Sequence, residues 1–150
     1  MSVITADDLR TGLVGAWRLE SYEAHSVDGS DVFYPLGTAP QGIIMYTPDG
    51  YMSATLMNPD REPFNQPDPH QAPADELAAA AAGYLSYAGP FTTEDGVVAH
   101  HVRVSLMPNW IGGIQYRSAQ LDGSMLTLGP TRPTLMGGQL RNAKLVWRRT

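Results

Sequence analysis

Two tryptophan-containing segments at opposite ends of the chain constrain its fold more than any other feature. Gly15-Ala16-Trp17 opens a run with the alternation of a β-strand, and Trp147-Arg148-Arg149 lies at the C-terminus. A glycine two residues before a tryptophan lets a neighbouring backbone approach closely, and a cation from the last strand can stack on the indole. We therefore expect Trp17 to close the floor of a β-barrel, with Arg149 stacked on it. A closed barrel of about eight strands has room for one small ligand.

The composition predicts one globular domain over residues 1–150. The chain is 43% hydrophobic, carries a net charge of -5 and contains no cysteine. It lacks the dense basic face that nucleic-acid binding requires and any apolar run of about 18 residues that could span a membrane. The acidic N-terminal segment is unlike a signal peptide, and the absence of cysteine excludes disulfides. We expect a cytoplasmic protein with no nucleic-acid or membrane partner, and its oligomeric state stays open, with a homodimer as one option.

The order of the elements predicts an antiparallel meander. Thr5 followed three residues later by Asp8 indicates the start of a short helix, and turn signals such as Pro48-Asp49-Gly50 separate short strands. Residues 73–87 begin with proline and acids and continue through an alanine run, which predicts a helix that lies across the open end of the barrel. The expected fold is therefore all-β: a single up-and-down antiparallel barrel of about eight or nine strands with a short N-terminal helix and one inserted lid helix.

Alternation within the strands assigns side chains to faces. In the first strand, Tyr22 is expected on the face opposite Trp17. In residues 97–107, the face that holds His100 is otherwise apolar, so His100 is expected to point into the barrel and His101 toward water. A bulge in the ladder would reverse this assignment. For Arg117, alternation does not decide between an inward and an outward side chain.

Several stretches, taken together and in order, resemble the lipocalin-like domain family, a group of small intracellular barrels from bacteria and fungi. The matching segments are Leu13 to Trp17, Tyr34 to Gly37, Gly42 to Ala54, Tyr84 to Pro90, His100 to Trp110, Gln115-x-Arg117 and Leu126 to Leu128. The resemblance implies a calycin-type barrel with an internal cavity. It implies no single reaction, because one fold serves many functions.

Two functions for such a barrel compete. The first is a cofactor-independent cyclase, isomerase or dehydratase of a polyketide-like intermediate, with His100, Arg117 and Tyr46 as catalytic residues that move a proton and stabilise oxyanion charge. The second is a carrier that performs no reaction. In both, the guest is a small, largely apolar or aromatic molecule. The side chains expected to contact it are Tyr34, Tyr51, Tyr84, Tyr87, Trp110, Gln115 and Met45.

No cofactor or metal is expected. The adjacent His100 and His101 point to opposite faces of a strand, so they cannot bind one metal ion together. No phosphate-binding glycine loop or nucleotide fingerprint occurs in the sequence.

Overall fold

The computed structural model describes residues 2–150, which form a closed antiparallel barrel with two helices. The helices are α1 (Ala6–Leu13) and α2 (Ala74–Ala82), and a 3-10 turn covers Pro108–Trp110. The strands are β1 (Gly15–Ser26), β2 (Val32–Phe33), β3 (Gln41–Tyr46), β4 (Tyr51–Met57), β5 (Tyr84–Glu94), β6 (Val97–His101), β7 (Val104–Ser105), β8 (Ile114–Asp122), β9 (Met125–Pro130), β10 (Thr134–Met136) and β11 (Gln139–Arg149). The predicted fold class, an up-and-down barrel with a short N-terminal helix and an inserted helix, is confirmed.

The barrel closes because β1 pairs with both β3 and the last strand, β11. The ring follows the chain in the order β1, β3, β4, β5, β6, β8, β9 and β11, and every one of these pairings is antiparallel. The three short strands β2, β7 and β10 extend the ladder at the margin opposite the floor. Closure leaves no ring strand with an unpaired edge.

The floor of the barrel is built around Trp17, which is fully buried. Its indole N–H donates to the Leu13 carbonyl at 2.9 Å, at the end of α1. The guanidinium of Arg149 lies 4.1 Å from the ring centroid and donates to the Val14 carbonyl at 2.9 Å. Gly15 has φ of +123°, and a Cβ there would come within 3.0 Å of Arg149. The two ends of the chain are thus joined by one packed cluster.

A bulge in β1 changes which side chains enter the barrel. The pairing of β1 with β11 shifts between Leu19 and Ser21, so that inward positions continue at Tyr22. Tyr22 is therefore buried on the same side as Trp17. The expectation that Tyr22 lies on the opposite face is wrong, because an extra residue in one strand inverts the alternation beyond it.

Helix α2 is shorter than expected. It ends at Ala82, with Gly83 as its C-cap, and residues 84–87 belong to β5, where they pair with β4. The side chains of α2 remain on the surface, with Leu77 46% exposed. The helix predicted over residues 73–87 therefore ends early, because glycine favours a helix end and the tyrosines after it favour a strand.

Gly89 of β5 allows the chain that leaves β6 to cross closely over it. A Cβ at Gly89 would collide with the backbone carbonyl of His101, and Arg103 N would lie 3.1 Å away. Since both obstacles are backbone atoms, we expect Gly89→Ala to lower the free energy of unfolding by about 1–3 kcal/mol, as measured by urea denaturation. Gly12→Ala is the control, because its Cβ meets only the movable end of the Leu121 side chain. Equal losses in the two variants would contradict the backbone explanation.

Candidate functional site

The barrel contains a cavity of about 310 Å³ between the floor and the opposite end. Most of its wall is aliphatic and comes from β3, β4, β9 and β11; these residues include Ile44, Ala54, Leu56, Leu128 and Leu145. Its polar and aromatic side chains are Tyr22, Tyr87, Trp110, Gln115, Arg117, Thr134 and Trp147. An apolar cavity of about 300 Å³ or more with a few polar groups is typical of a small-molecule site.

Behind the cavity wall, His100 joins two tyrosines from other strands. Its Nε2 lies 2.7 Å from the Tyr46 hydroxyl, and its Nδ1 lies 2.8 Å from the Tyr87 hydroxyl. All three side chains are buried, His100 completely. Of the three, only Tyr87 lines the cavity. A molecule in the cavity therefore contacts Tyr87, with His100 and Tyr46 arranged in sequence behind it.

Burial determines the charge of His100 and the direction of this hydrogen-bonded chain. Desolvation, with a smaller effect of the Arg117 cation, lowers the pKa of His100 to about 3, so the imidazole is neutral. Within residues 2–150, His100 is the hydrogen-bond partner found for the Tyr46 hydroxyl, so Tyr46 donates to Nε2 rather than leave its buried proton unpaired. Nδ1 then carries the proton and donates to Tyr87. The Tyr87 hydroxyl proton remains available to a guest in the cavity.

Arg117 supplies the positive charge of the site. On β8, Gln115 and Arg117 face inward, while Tyr116 between them is exposed. Arg117 donates to Gln115 Oε1 at 2.9 Å and to the Tyr116 carbonyl at 3.1 Å. Burial raises the pKa of Tyr87, and the nearby Arg117 cation opposes that rise. The structure thus answers what alternation left open: Arg117 points into the barrel.

Tyr22 and Trp147 are lining residues that the sequence reasoning did not assign to the site. Tyr22 approaches Met136 at the mouth, with 4.0 Å between its hydroxyl and the sulfur. Trp147 is 1% exposed, and its indole N–H has no hydrogen-bond partner within residues 2–150. A buried donor without a partner calls for an explanation. Trp147 pairs with Leu19, an inward residue two positions beyond Trp17, so its inward position follows from the pairing of the two terminal strands. The bulge, by contrast, hid the inward position of Tyr22.

The mouth of the cavity is bordered by Trp110 and by β10. Trp110 packs edge-on against the Tyr87 ring at a centroid distance of 5.6 Å. Arg141, itself buried, fixes β10 by donating to the Met136 carbonyl at 3.0 Å and to the Asp31 carboxylate at 2.7 Å. No α2 residue lines the cavity, so the inserted helix does not form part of the cavity wall at its mouth.

The structure does not bring Met45 and Tyr51 to the cavity. Both lie on the outer face and are about half exposed, at 47% and 52%. Their strand neighbours Tyr46 and Met52 point inward and are buried, so alternation turns Met45 and Tyr51 outward. Met45 and Tyr51 therefore do not reach a ligand inside the barrel, which corrects the expectation from the sequence.

Tyr34 and Tyr84 are also separate from the cavity. Tyr34 lies in the exposed segment after β2 and is 43% exposed. Tyr84, at the start of β5, packs under the guanidinium of Arg61, whose carbon is 5.0 Å from the ring centroid. Of the ligand contacts expected from the sequence, Tyr87, Trp110 and Gln115 line the cavity, and the other four do not.

Within residues 2–150, no three His, Asp or Glu side chains are grouped so that they could hold a metal ion. In the same part of the chain, no helix has both the length and the apolar character needed to cross a membrane.

Fold and cavity together define the class: a closed barrel that binds a small organic molecule. The family model described as "Lipocalin-like domain" matches residues 14–150, and the chain belongs to this family. A relative from Aspergillus oryzae, named 4'-hydroxy-3'-methoxypropiophenone carrier protein ppsC, is 33% identical over 106 residues. The aligned part covers 65% of this chain and 96% of the relative. This relative agrees with small-molecule binding by the barrel.

Proposed function

We propose that the protein is a carrier that holds a small hydroxyaryl ketone in its cavity and releases it unchanged. The observation on which this depends is the barrel cavity of about 310 Å³, which is aliphatic over most of its wall and polar at the corner formed by Tyr87, Gln115 and Arg117. An aromatic ring fits the aliphatic wall, and its oxygen substituents fit the polar corner. The relative's ligand, 4'-hydroxy-3'-methoxypropiophenone, combines these features and is the compound that we propose as a probe.

The polar groups of the site suit binding better than catalysis. A general base works best with a pKa near the working pH, whereas the pKa of His100 is lowered to about 3. His100 is also separated from the cavity by Tyr87. Burial raises the pKa values of Tyr46 and Tyr87, so both remain protonated near neutrality. The side chains behind the cavity thus favour fixed hydrogen bonds over proton abstraction.

One observation favours the second candidate, a cofactor-independent cyclase or isomerase. The Tyr87 hydroxyl is hydrogen-bonded to His100 and could act as a general acid toward a bound carbonyl oxygen, with Arg117 beside it.

One measurement separates the two functions. The carrier returns the probe chemically unchanged after prolonged incubation, as followed by liquid chromatography. An altered product whose formation depends on Tyr87 would support the enzyme instead.

Filling the cavity tests the binding site directly. We expect Ala54→Phe to weaken binding of the ketone at least about tenfold, because Ala54 lines the cavity and the added ring occupies the guest's volume. The measurement is isothermal titration calorimetry with the ketone. Thr55→Phe is the matched control, since Thr55 is the next residue of β4 and lines an outer groove. Equal affinities of the wild-type protein and a folded Ala54→Phe variant would place the binding site elsewhere.

A further inference from the structure

Arg117 is the one charged side chain that lines the cavity within the described residues. Its hydrogen bonds go to the neutral Gln115 amide and a backbone carbonyl, and it forms no ion pair with a carboxylate in residues 2–150. Before a guest binds, water can solvate the guanidinium. A guest that displaces this water leaves the cation desolvated, which is costly unless the guest brings a compensating charge.

Three other polar side chains that line the cavity, those of Tyr87, Gln115 and Trp147, can each donate a hydrogen bond to a guest. Tyr87 accepts from His100 and keeps its own proton available, as the hydrogen-bonded chain from Tyr46 requires. Gln115 uses its oxygen to accept from Arg117, which leaves its amide N–H groups unused. Trp147 lines the same cavity, with an indole N–H that has no partner in residues 2–150. Donors beside an unpaired cation match a guest oxygen that only accepts, most strongly when that oxygen is charged.

From this arrangement we propose that the cavity binds its hydroxyaryl guest as the phenolate, with the ionised oxygen beside Arg117 and the Tyr87 hydroxyl. The inference rests on the proposed binding function and specifies the form of the ligand. On binding, the phenol O–H bond breaks, its electron pair stays on the oxygen, and the proton passes to the solvent. An acyl group para to the phenol favours this step, because it delocalises the phenolate charge.

The titratable groups in this corner and behind it do not offset the charge of Arg117. Tyr22 from β1, Tyr46 from β3 and Tyr87 from β5 are protonated, because burial raises the pKa of each. His100 from β6 is neutral. The lining residues contributed by β9, β10 and β11 are non-titratable. Arg117 is therefore the dominant charge that a bound phenol meets.

The test compares 4'-hydroxy-3'-methoxypropiophenone with its methyl ether, 3',4'-dimethoxypropiophenone, which cannot ionise. The phenolate absorbs at longer wavelength than the phenol, so an absorbance titration from about pH 6 to 9 gives the pKa of the bound phenol. We expect it to fall by at least about one unit, a tenfold preference for the anion. Calorimetry in two buffers of different ionisation enthalpy should show proton release at the lower pH.

Four variants separate the contributions. Arg117→Gln should lose about tenfold or more of the anion preference while still binding the methyl ether, and Arg117→Lys, which keeps the charge, should retain most of it. Tyr87→Phe should lose a smaller factor, since it removes one hydrogen bond. Arg103→Gln is the matched control: it removes the same charge from an exposed position outside the cavity and should behave as the wild type. Melting curves verify that each variant is folded.

The outcomes distinguish phenolate binding from the proposed carrier function on which it rests. A lowered phenol pKa that depends on Arg117 supports the phenolate. If the phenol and the ether bind equally and the phenol pKa is unchanged, the phenolate inference fails while the carrier function stands. If neither compound binds, both are overturned for this ligand class. A lowered pKa that persists in Arg117→Gln would assign the charge stabilisation to another group and overturn the role of Arg117.

Discussion

Trp17→Ala should lower the free energy of unfolding by about 3–5 kcal/mol, the usual loss for a buried aromatic residue. The side chain is fully buried, its N–H is bonded to Leu13, and Arg149 stacks on its outer face. Removing it leaves a void that neither α1 nor the ring strands can fill without breaking other contacts. For a chain of this size, the loss corresponds to a decrease of about 6–20 °C in Tm. Far-UV circular dichroism during heating and urea denaturation provides the measurement.

Trp110→Ala is the natural comparison for this variant. Trp110 is half-buried at the cavity mouth and packs on Tyr87, so its removal should affect ligand affinity more than stability. Arg149→Ala should fall between the two in stability, because it removes the stacked cation and its hydrogen bonds to the Val14 and Gly12 carbonyls but leaves the indole in place. If the free energy of unfolding of Trp17→Ala lies within about 1 kcal/mol of that of the wild type, the stability of the floor does not depend on the indole.

Barrel closure was predictable from the sequence because its determinants are local. The opposed tryptophan segments identify the first and last strands, and Trp17 does pair with Arg149 across them. The turn glycines are equally local signals: Gly29, Gly50, Gly96 and Gly123 all have positive φ, as turn positions between strands require. A strand needs only alternation, and a turn needs only one or two residues of special conformation. Both are visible in a single sequence.

The membership of the cavity was harder to predict because it depends on register. The bulge after Leu19 reverses the inward face of β1 and turns Tyr22 into the barrel. No residue type in that segment indicates a bulge. The same limit applies to Arg117, whose direction is fixed by the pairing of β8 with β6 and β9. Neighbouring strands, rather than the residue itself, decide these positions.

Tyrosine at a strand end was a weaker signal than its chemistry suggested. Tyr46 and Tyr51 flank the same turn, but one is buried against His100 and the other is exposed. A shift of one residue along a strand decides whether a tyrosine hydroxyl points into the buried network or toward the solvent. Similarly, the alanine run predicted the position of α2, but its end at Gly83 required knowledge that β5 pairs with β4 from Tyr84 onward.

The stability of the wild type should decrease as the pH is lowered from about 8 to 5, and His100 should account for a large part of the decrease. In the unfolded chain, His100 has its ordinary pKa of 6.5, whereas burial and the Arg117 cation lower its pKa in the folded protein to about 3. Between these values the unfolded state binds the extra proton, so the free energy of unfolding falls with falling pH. At pH 5, the loss from this one group is about 2 kcal/mol relative to pH 8.

The difference between the wild type and His100→Gln isolates this contribution. Gln offers a donor and an acceptor to Tyr46 and Tyr87 but does not titrate, so the variant should be less stable at pH 8 and should lose less stability on acidification. The carboxylates and the remaining histidines are common to both proteins and cancel in the comparison.

His101→Gln is the matched control, since His101 is only partly buried and is hydrogen-bonded to Thr92 on the outer side of the barrel. This variant should keep the pH slope of the wild type. Urea denaturation at several pH values measures all three slopes, and identical slopes for the wild type and His100→Gln would mean that the buried imidazole takes up a proton in the folded barrel as readily as in the unfolded chain.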